Sequence, residues 1–320
     1  MKTQIMQNKN PLLKTIRSIL QAGLAKTIIN VMAFFSIKTC HRLGSLIGLI
    51  SLMTPNRNRF VTEKNIELCF PSMTAKQQHQ LTRNSLIEMG KTFTEAGPMW
   101  KWRKEKLFNL IKAVHGEELI HKALNNKQGV ILAMPHLGNW ELLSLYSSAN
   151  YSSTSMYQKP KLKQLDAIIK HGRERLGATL VPADNVGVRA MLKSLKNKGV
   201  VCILPDQEPN TGTGIFAPFF GQQAYSMTLV SRLAKKTQAS VIIAFAKRLS
   251  SGEGYEIIFT DLPEMKDKLN AETLDESVVY LNNELEKIIK DVPEQYQWSY
   301  KRFRNQPLTE DKQRVDFYNP

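Results

Sequence analysis

The feature that most restricts the fold is a regular alternation of strand-like and helix-like segments that begins near residue 129. Alternation of this kind is typical of a mostly parallel sheet with helices on both faces. A last predicted strand at 255–262 and a long amphipathic helix at 274–290 close the series. We therefore predict an α/β fold, a three-layer, mostly parallel sheet flanked by helices, with some antiparallel pairing near its end. The other predicted strands lie at 129–136, 153–157, 178–182, 199–205 and 240–248.

The region before this alternation has a different pattern. Residues 57–125 show helical periodicity, and 92–124 are predicted to be helical throughout. In the alternating region, the glycine-bounded segment 212–221 is predicted to be a loop that carries Phe216, Phe219 and Phe220. These three rings either line a groove or fill the core, and the sequence favours neither.

A histidine and a glutamate flank the end of the first predicted strand. The sequence His-Leu-Gly-Asn-Trp-Glu at 136–141 follows the apolar run 129–135 and precedes a helix. The carboxyl ends of strands carry the chemistry in such sheets. A carboxylate bonded to one ring nitrogen fixes the tautomer that leaves the other nitrogen free to act as a general base. The alternative is a structural role for both residues. Glu141 would then stabilise the helix dipole, and His136 would be a core residue whose ring nitrogens are hydrogen-bonded.

Two further stretches carry charged residues at comparable places. Arg173 and Arg175 lie near the end of a predicted helix, where arginines bind anions or compensate the helix dipole. Asp206 ends the apolar run 199–205. Because charged groups are rarely buried without a partner, we predict that Asp206 pairs with Arg173.

Composition indicates an acidic partner. The 320 residues carry a formal net charge of +16, so the surface attracts nucleic acid, anionic lipid headgroups or an acidic protein. The sequence has no helix-turn-helix, RNA-recognition or zinc-finger signature, which argues against nucleic acid. The isolated Cys40, Cys69 and Cys202 suggest reduced thiols and no metal site.

The N-terminal region carries two short apolar runs. They span 27–37 and 43–53, with basic residues between them, and each is shorter than the ~18 to 20 residues of a clean spanning helix. We predict that residues 1–56 form a membrane-anchoring helical segment and that 57–320 form the catalytic domain. The alternative is a helical hairpin buried in the main domain.

Four separated motifs together resemble one family. They are the His-(four residues)-Glu signature at 136–141, the Gly-Arg-Glu-Arg stretch at 172–175, the Pro-Asp-Gln-Glu stretch at 205–208, and the Gln-Tyr-Gln-Trp stretch at 295–298 with its basic residues and Phe303. In this order they are similar to the late lipid A acyltransferases, the lauroyl and myristoyl transferases. The resemblance covers about residues 40–307.

The resemblance implies a glycerolipid-acyltransferase-like fold and a membrane-associated enzyme. Such an enzyme moves a fatty acyl chain from acyl carrier protein to the 3-hydroxyl of a hydroxyacyl chain on a lipid A precursor. It implies His136 as base and Glu141 as its orienting partner, with Arg173, Arg175 and Asp206 binding substrate. No metal or other cofactor is expected, and neither is nucleic acid. The expected location is the cytoplasmic face of the bacterial inner membrane. The alternatives are another acceptor, such as glycerol phosphate or a glycolipid, and a non-catalytic basic membrane-binding protein.

Overall fold

The computed structural model describes residues 11–160, 163–308 and 315–319. Its first part is helical, and the remainder alternates between strands and helices as the sequence predicts. The helices of the first part are α1 Pro11–Met32, α2 Ile37–Met53, α3 Arg57–Cys69, α4 Ala75–Lys101 and α5 Lys104–Phe108. The strands are β1 Ile111–His115, β2 Val130–Ala133, β3 Ser153–Tyr157, β4 Thr179–Pro182, β5 Val200–Ile203, β6 Gly214–Phe219, β7 Gln222–Met227, β8 Ser240–Arg248 and β9 Tyr255–Asp261. The later helices are α6 Glu118–Asn125, α7 Trp140–Asn150, α8 Asp166–Glu174, α9 Asn185–Lys196, α10 Leu229–Thr237, α11 Met265–Asn270 and α12 Asp275–Asp291.

Within the described ranges, seven strands form one sheet in the order β1-β9-β8-β2-β5-β3-β4. Neighbouring strands are parallel except for β8 and β9, which are antiparallel. The mostly parallel sheet flanked by helices is therefore confirmed. Two local predictions are wrong. Residues 111–115 form the edge strand β1 inside the segment expected to be helical. Residues 214–219, inside the segment 212–221 expected to be a loop, form the first strand of the β6–β7 hairpin.

The two faces of the sheet bury separate apolar clusters, because alternate side chains of a strand point to opposite sides. Ile131 and Ile203 belong to the cluster that α9, α10 and α12 cover. Leu132 and Cys202 belong to the cluster that α6 and α7 cover on the other face. This arrangement makes the three layers, and it leaves the carboxyl ends of β2 and β5 side by side between them.

Helix α2 packs closely along α4 through glycines. A Cβ on Gly44 would lie 2.5 Å from the Cα of Lys91, and a Cβ on Gly90 would lie 2.0 Å from the carbonyl oxygen of Gly44. Side chains at these positions would push the two backbones apart. Helix α2, in the predicted segment 1–56, therefore packs along α4, which belongs to the predicted domain 57–320.

Helices α1 and α2 expose many large apolar side chains. No helix in the described part of the chain has the length and apolar character needed to cross a bilayer. Exposed apolar residues in such number mark an interaction surface rather than ordinary scatter. We call this set the N-terminal apolar surface; it comprises Ile19, Leu20, Leu24, Ile28, Val31, Phe34, Leu46, Ile47, Ile50 and Met53.

Candidate active site

Strand register brings His136 and Asp206 together. In the parallel pair β2 and β5, Ala133 lies beside Ile203. His136 comes three positions after Ala133, and Asp206 comes three positions after Ile203. The Asp206 carboxylate accepts hydrogen bonds from the backbone N–H of His136 and from the ring Nδ1–H, each at 2.9 Å. Asp206 is only 2% exposed. The pair is thus an imidazole oriented by a buried carboxylate.

The predicted partners of His136 and Arg173 are exchanged in the structure. Glu141 accepts from the Arg173 guanidinium through Nη2 and through Nε at 2.9 Å, and also from the Trp100 indole N–H at 3.0 Å. The predictions that Glu141 orients His136 and that Arg173 pairs with Asp206 are therefore wrong. The reason is topological. The ends of neighbouring parallel strands lie side by side, whereas the first turn of α7 faces α4 and α8.

Both carboxylates are held in their ionised form. Burial alone would raise the pKa of Asp206, but the charge and hydrogen bonds of His136 lower it below its ordinary value. Burial likewise opposes ionisation of Glu141, and the Arg173 guanidinium beside it brings the pKa of that carboxyl below its usual range. One carboxylate bonded to an imidazole and one paired with a guanidinium therefore lie at adjacent strand and helix ends.

Two glutamines that the sequence reasoning missed complete the surroundings of His136. The Gln207 amide lies 3.3 Å from the ring Nε2 and donates to Oε1 of Gln297 at 2.9 Å. Because Nδ1 donates to Asp206, Nε2 carries the lone pair that a general base needs. Gln207 follows Asp206 directly, and Gln297 lies in the motif at 295–298. Their proximity to those motifs was the only signal in the sequence.

A buried ionic cluster supports the turn between His136 and α7. Glu95 accepts from Arg248 through Nε at 2.7 Å and from His41 at 2.7 Å. It also accepts from the Asn139 amide at 2.9 Å, and Asn139 in turn caps the first turn of α7. Burial opposes ionisation, yet Arg248 lowers the pKa of Glu95 to about 2. This cluster joins α2, α4 and β8 to the site, and no short-range pattern in the sequence indicates it.

Gly138 is required by the same turn. Its φ is +62°, and a Cβ there would lie 2.0 Å from the carbonyl oxygen of Ala246. We expect Gly138→Ala to lower the free energy of unfolding by more than the ~1 to 3 kcal/mol of left-handed strain alone. Chemical denaturation measures the change. Gly221→Ala is the matched control, because Gly221 has a φ of +75° and nothing within 4 Å of its built Cβ. Equal losses in both variants would contradict the steric argument.

A cavity of about 720 Å³ opens beside the histidine. His136, Glu141, Arg173 and Gln207 contribute polar groups to its lining. A cavity that combines an apolar wall with a few convergent polar groups suits a long acyl chain with a polar reacting end. The apolar wall comes from β3, β4, α9 and α10 and includes Met156, Leu180, Val188, Leu192, Leu229 and Leu233.

Arg175 lies elsewhere. It is not among the described residues that line this cavity, and its Nη2 donates to the carbonyl oxygen of Met99 at 2.7 Å. Burial lowers the pKa of its guanidinium. Binding of substrate by Arg175 stays a prediction, and the observed contact is a structural one between α8 and α4.

The phenylalanines of the β6–β7 hairpin divide between surface and core. Phe219 and Phe220 are buried and pack edge to face, with ring centroids 5.0 Å apart. Phe220 also contacts Trp298, at 5.6 Å between centroids. Phe216 is exposed. The structure therefore answers the question that the sequence left open, and the two buried rings fill the core.

The fold and site together define an enzyme class. A histidine paired with a buried carboxylate at the carboxyl edge of a mostly parallel sheet, beside a partly apolar cavity, is suited to acyl transfer. Comparison with known proteins agrees with this class. The model of the bacterial lipid A biosynthesis acyltransferase family matches residues 6–305, and the chain belongs to that family.

The individual relatives have low sequence identity to this chain, but the aligned regions cover most of each protein. The chain is 27% identical to the lipid A biosynthesis lauroyltransferase of Escherichia coli K12, over 83% of this chain and 86% of that protein. It is 26% identical to the palmitoleoyltransferase of the same strain, over 84% and 86%. It is 27% identical to a lipid A biosynthesis acyltransferase of Haemophilus influenzae, over 83% of each. The chain is thus an acyltransferase of lipid A biosynthesis.

Proposed function

We propose that the protein transfers a fatty acyl chain from an acyl carrier protein thioester to the 3-hydroxyl of a hydroxyacyl chain on a lipid A precursor. The observation that carries the proposal is the His136–Asp206 pair at the edge of the 720 Å³ cavity, with Nε2 of His136 free of a strong partner. Family membership supports lipid A as the class of acceptor. Hydroxyl acylation needs one positioned base, and His136 is placed to supply it.

The chemistry follows from this geometry. His136 takes the proton of the acceptor hydroxyl on Nε2 as the oxygen attacks the thioester carbonyl. Asp206 holds the ring and stabilises the imidazolium that forms, as the carboxylate of a catalytic triad does. The tetrahedral intermediate then collapses, the carbon–sulfur bond breaks, and the proton on His136 passes to the leaving thiolate. The products are an ester and a free carrier thiol.

Backbone groups support the developing negative charge. The first amides of a helix have no acceptor inside it, and in α7 the Asn139 side chain bonds the amide of Leu142. The amides of Trp140 and Glu141 thus offer donors and a positive dipole end to an oxyanion. The Glu141–Arg173 pair holds this helix start against α8 and places the guanidinium in the cavity wall. Glu141 is in this proposal a positioning residue.

The carrier protein and the membrane complete the proposal. A chain of charge +16 is steered toward acidic partners, and both a carrier protein and an anionic leaflet are acidic. The N-terminal apolar surface supports an interfacial attachment in which α1 and α2 lie in the plane of the membrane. We propose the cytoplasmic face of the bacterial inner membrane as the location, because the carrier-bound donor is made in the cytoplasm.

The function is tested by incubating the purified protein with a lipid A precursor and a lauroyl thioester, supplied either on carrier protein or on coenzyme A. Mass spectrometry of the lipid should show one added acyl group, formed faster from the carrier-bound donor. Acylation of glycerol phosphate instead would support the alternative acceptor. Equal rates from both donors would contradict the dependence on carrier protein.

The membrane attachment gives a separate prediction. Leu46 and Ile50 are exposed on α2, and changing both to glutamine removes apolar contact without adding charge. Because burying one such side chain contributes ~1.5 to 3 kcal/mol, we expect partitioning onto anionic liposomes to fall about tenfold or more. The loss should persist in high salt, which weakens only the electrostatic part of binding.

Liposome co-sedimentation at low and high salt measures this effect. The matched control changes Val186 and Leu308 to glutamine, since both are exposed but lie far along the chain from α1 and α2. Binding of the α2 variant at the level of the control would show that another surface holds the protein to the membrane.

A further inference from the structure

A second cleft lies beside the active site and has no part in the mechanism above. Its volume is about 130 Å³, and it lies between α3, α4 and the segment that follows α12. Asn58 and Phe93 line it from the two helices, and Gln297 and Ser299 line it from that segment. Trp140 lines both this cleft and the large cavity, so its ring is part of the wall that separates them.

The lining of the second cleft is uncharged and combines polar with apolar side chains. Among the described residues, neither the Asn58 amide nor the Ser299 hydroxyl has a hydrogen-bond partner, and the indole N–H of Trp140 has none either. Amides and hydroxyls both donate and accept, so they match the hydroxyl and amide groups of a sugar or a hydroxyacyl chain. Met89 and Phe93 add apolar contact for the methylene groups beside those polar groups.

Two residues that line the cleft contact His136. The backbone N–H of Gln297 donates to the carbonyl oxygen of His136 at 3.0 Å, and the ring of Trp140 meets the imidazole with centroids 5.1 Å apart. The Gln207 amide lines the large cavity and lies 3.3 Å from Nε2 of His136. It donates to the side chain of Gln297, which lines the second cleft. An incoming hydroxyl that displaced the Gln207 amide would donate directly to Nε2.

Exposed apolar side chains lie at the cleft and near it. Phe93 is 60% exposed while lining the cleft, and Phe60, two residues after Asn58 on α3, is also exposed. Met53, at the end of α2, is also exposed and belongs to the N-terminal apolar surface. A ligand of this cleft would meet Gln297 and Trp140 next to His136 and the exposed ring of Phe93 at the surface.

We infer that the second cleft is the acceptor site, which takes the hydroxyl-bearing part of a hydroxyacyl chain where the chain joins its sugar. The donor acyl chain then occupies the large cavity, and the two substrates meet at His136 from opposite sides of Trp140. This assignment rests on the proposed acyl transfer from a thioester. It differs from that proposal because it concerns only where the acceptor binds.

The test separates transfer from hydrolysis of the same thioester. Asn58→Trp fills the cleft, and Phe93→Ala removes its exposed ring. With a lauroyl thioester of carrier protein and a lipid A precursor, mass spectrometry gives the acylated lipid and the free fatty acid in one reaction. We expect the ratio of lipid product to fatty acid to fall about tenfold or more, a change equal to the loss of a typical hydrogen bond. The KM for the precursor should rise, and the KM for the thioester should not.

Two control variants test whether the change in product ratio is specific to the second cleft. Leu192→Trp narrows the donor cavity, and it should lower both products together. His79→Trp puts the same ring on an exposed site of α4 away from the cleft, and it should change neither product. An unchanged ratio in a folded Asn58→Trp protein would overturn the acceptor site while leaving the proposed function intact. Failure of the unaltered protein to consume the thioester would overturn both.

Discussion

His136→Ala is expected to lower acyl transfer about 10²- to 10⁴-fold while the protein stays folded, because it removes the positioned base. Asp206→Asn should cause a loss of similar order. An amide can donate to Nδ1 and so stabilise the tautomer that carries its proton on Nε2, where the base must be free. Transfer of a radiolabelled acyl group to the precursor measures both rates, and circular dichroism shows that the fold is retained.

The double variant makes the test specific. Residues that act as one unit are strongly non-additive, so His136→Ala with Asp206→Asn should be little slower than His136→Ala alone. Glu141→Gln is the matched carboxylate control, since Glu141 bonds Arg173 and not His136. Non-additivity between His136 and Glu141, with independent behaviour of Asp206, would restore the pairing that the sequence first suggested.

Arg173→Ala should lower the free energy of unfolding by about 3 kcal/mol. The range for removing one partner of a buried ion pair is ~3 to 5 kcal/mol, and the lower end applies because the Arg173 side chain is 27% exposed. The Glu141 side chain, 13% exposed, would keep its charge without a cation beside it. Denaturant unfolding in detergent solution measures the change.

The reciprocal variants separate charge from packing. Arg173→Lys should recover only part of the stability, because an ammonium cannot reproduce the contacts of the guanidinium fork. Arg173→Met combined with Glu141→Gln should be more stable than Arg173→Ala, since no uncompensated charge is left. Loss of stability in the double variant equal to that of Arg173→Ala would show that the pair itself contributes little and that packing dominates.

The sequence was sufficient for features that depend on local pattern. Apolar runs of strand length, separated by helical periodicity, predicted the parallel sheet and put His136 and Asp206 at strand ends. The local pattern was less reliable where an element is short and half buried. Strand β1 at the sheet edge was mistaken for helix because it is five residues long, partly exposed and flanked by helical segments. Strand β6 was mistaken for part of a loop because glycines bound the segment 212–221.

Only the tertiary structure decided which charges meet. The spacing between His136 and Glu141 allowed a contact across one helical turn, and nothing local in the sequence opposed it. Strand order did oppose it, because β2 and β5 are neighbours in register and bring Asp206 to His136 from 70 positions away. Contacts over such separations depend on strand order, whereas the residue types able to do the chemistry can be recognised from the sequence itself.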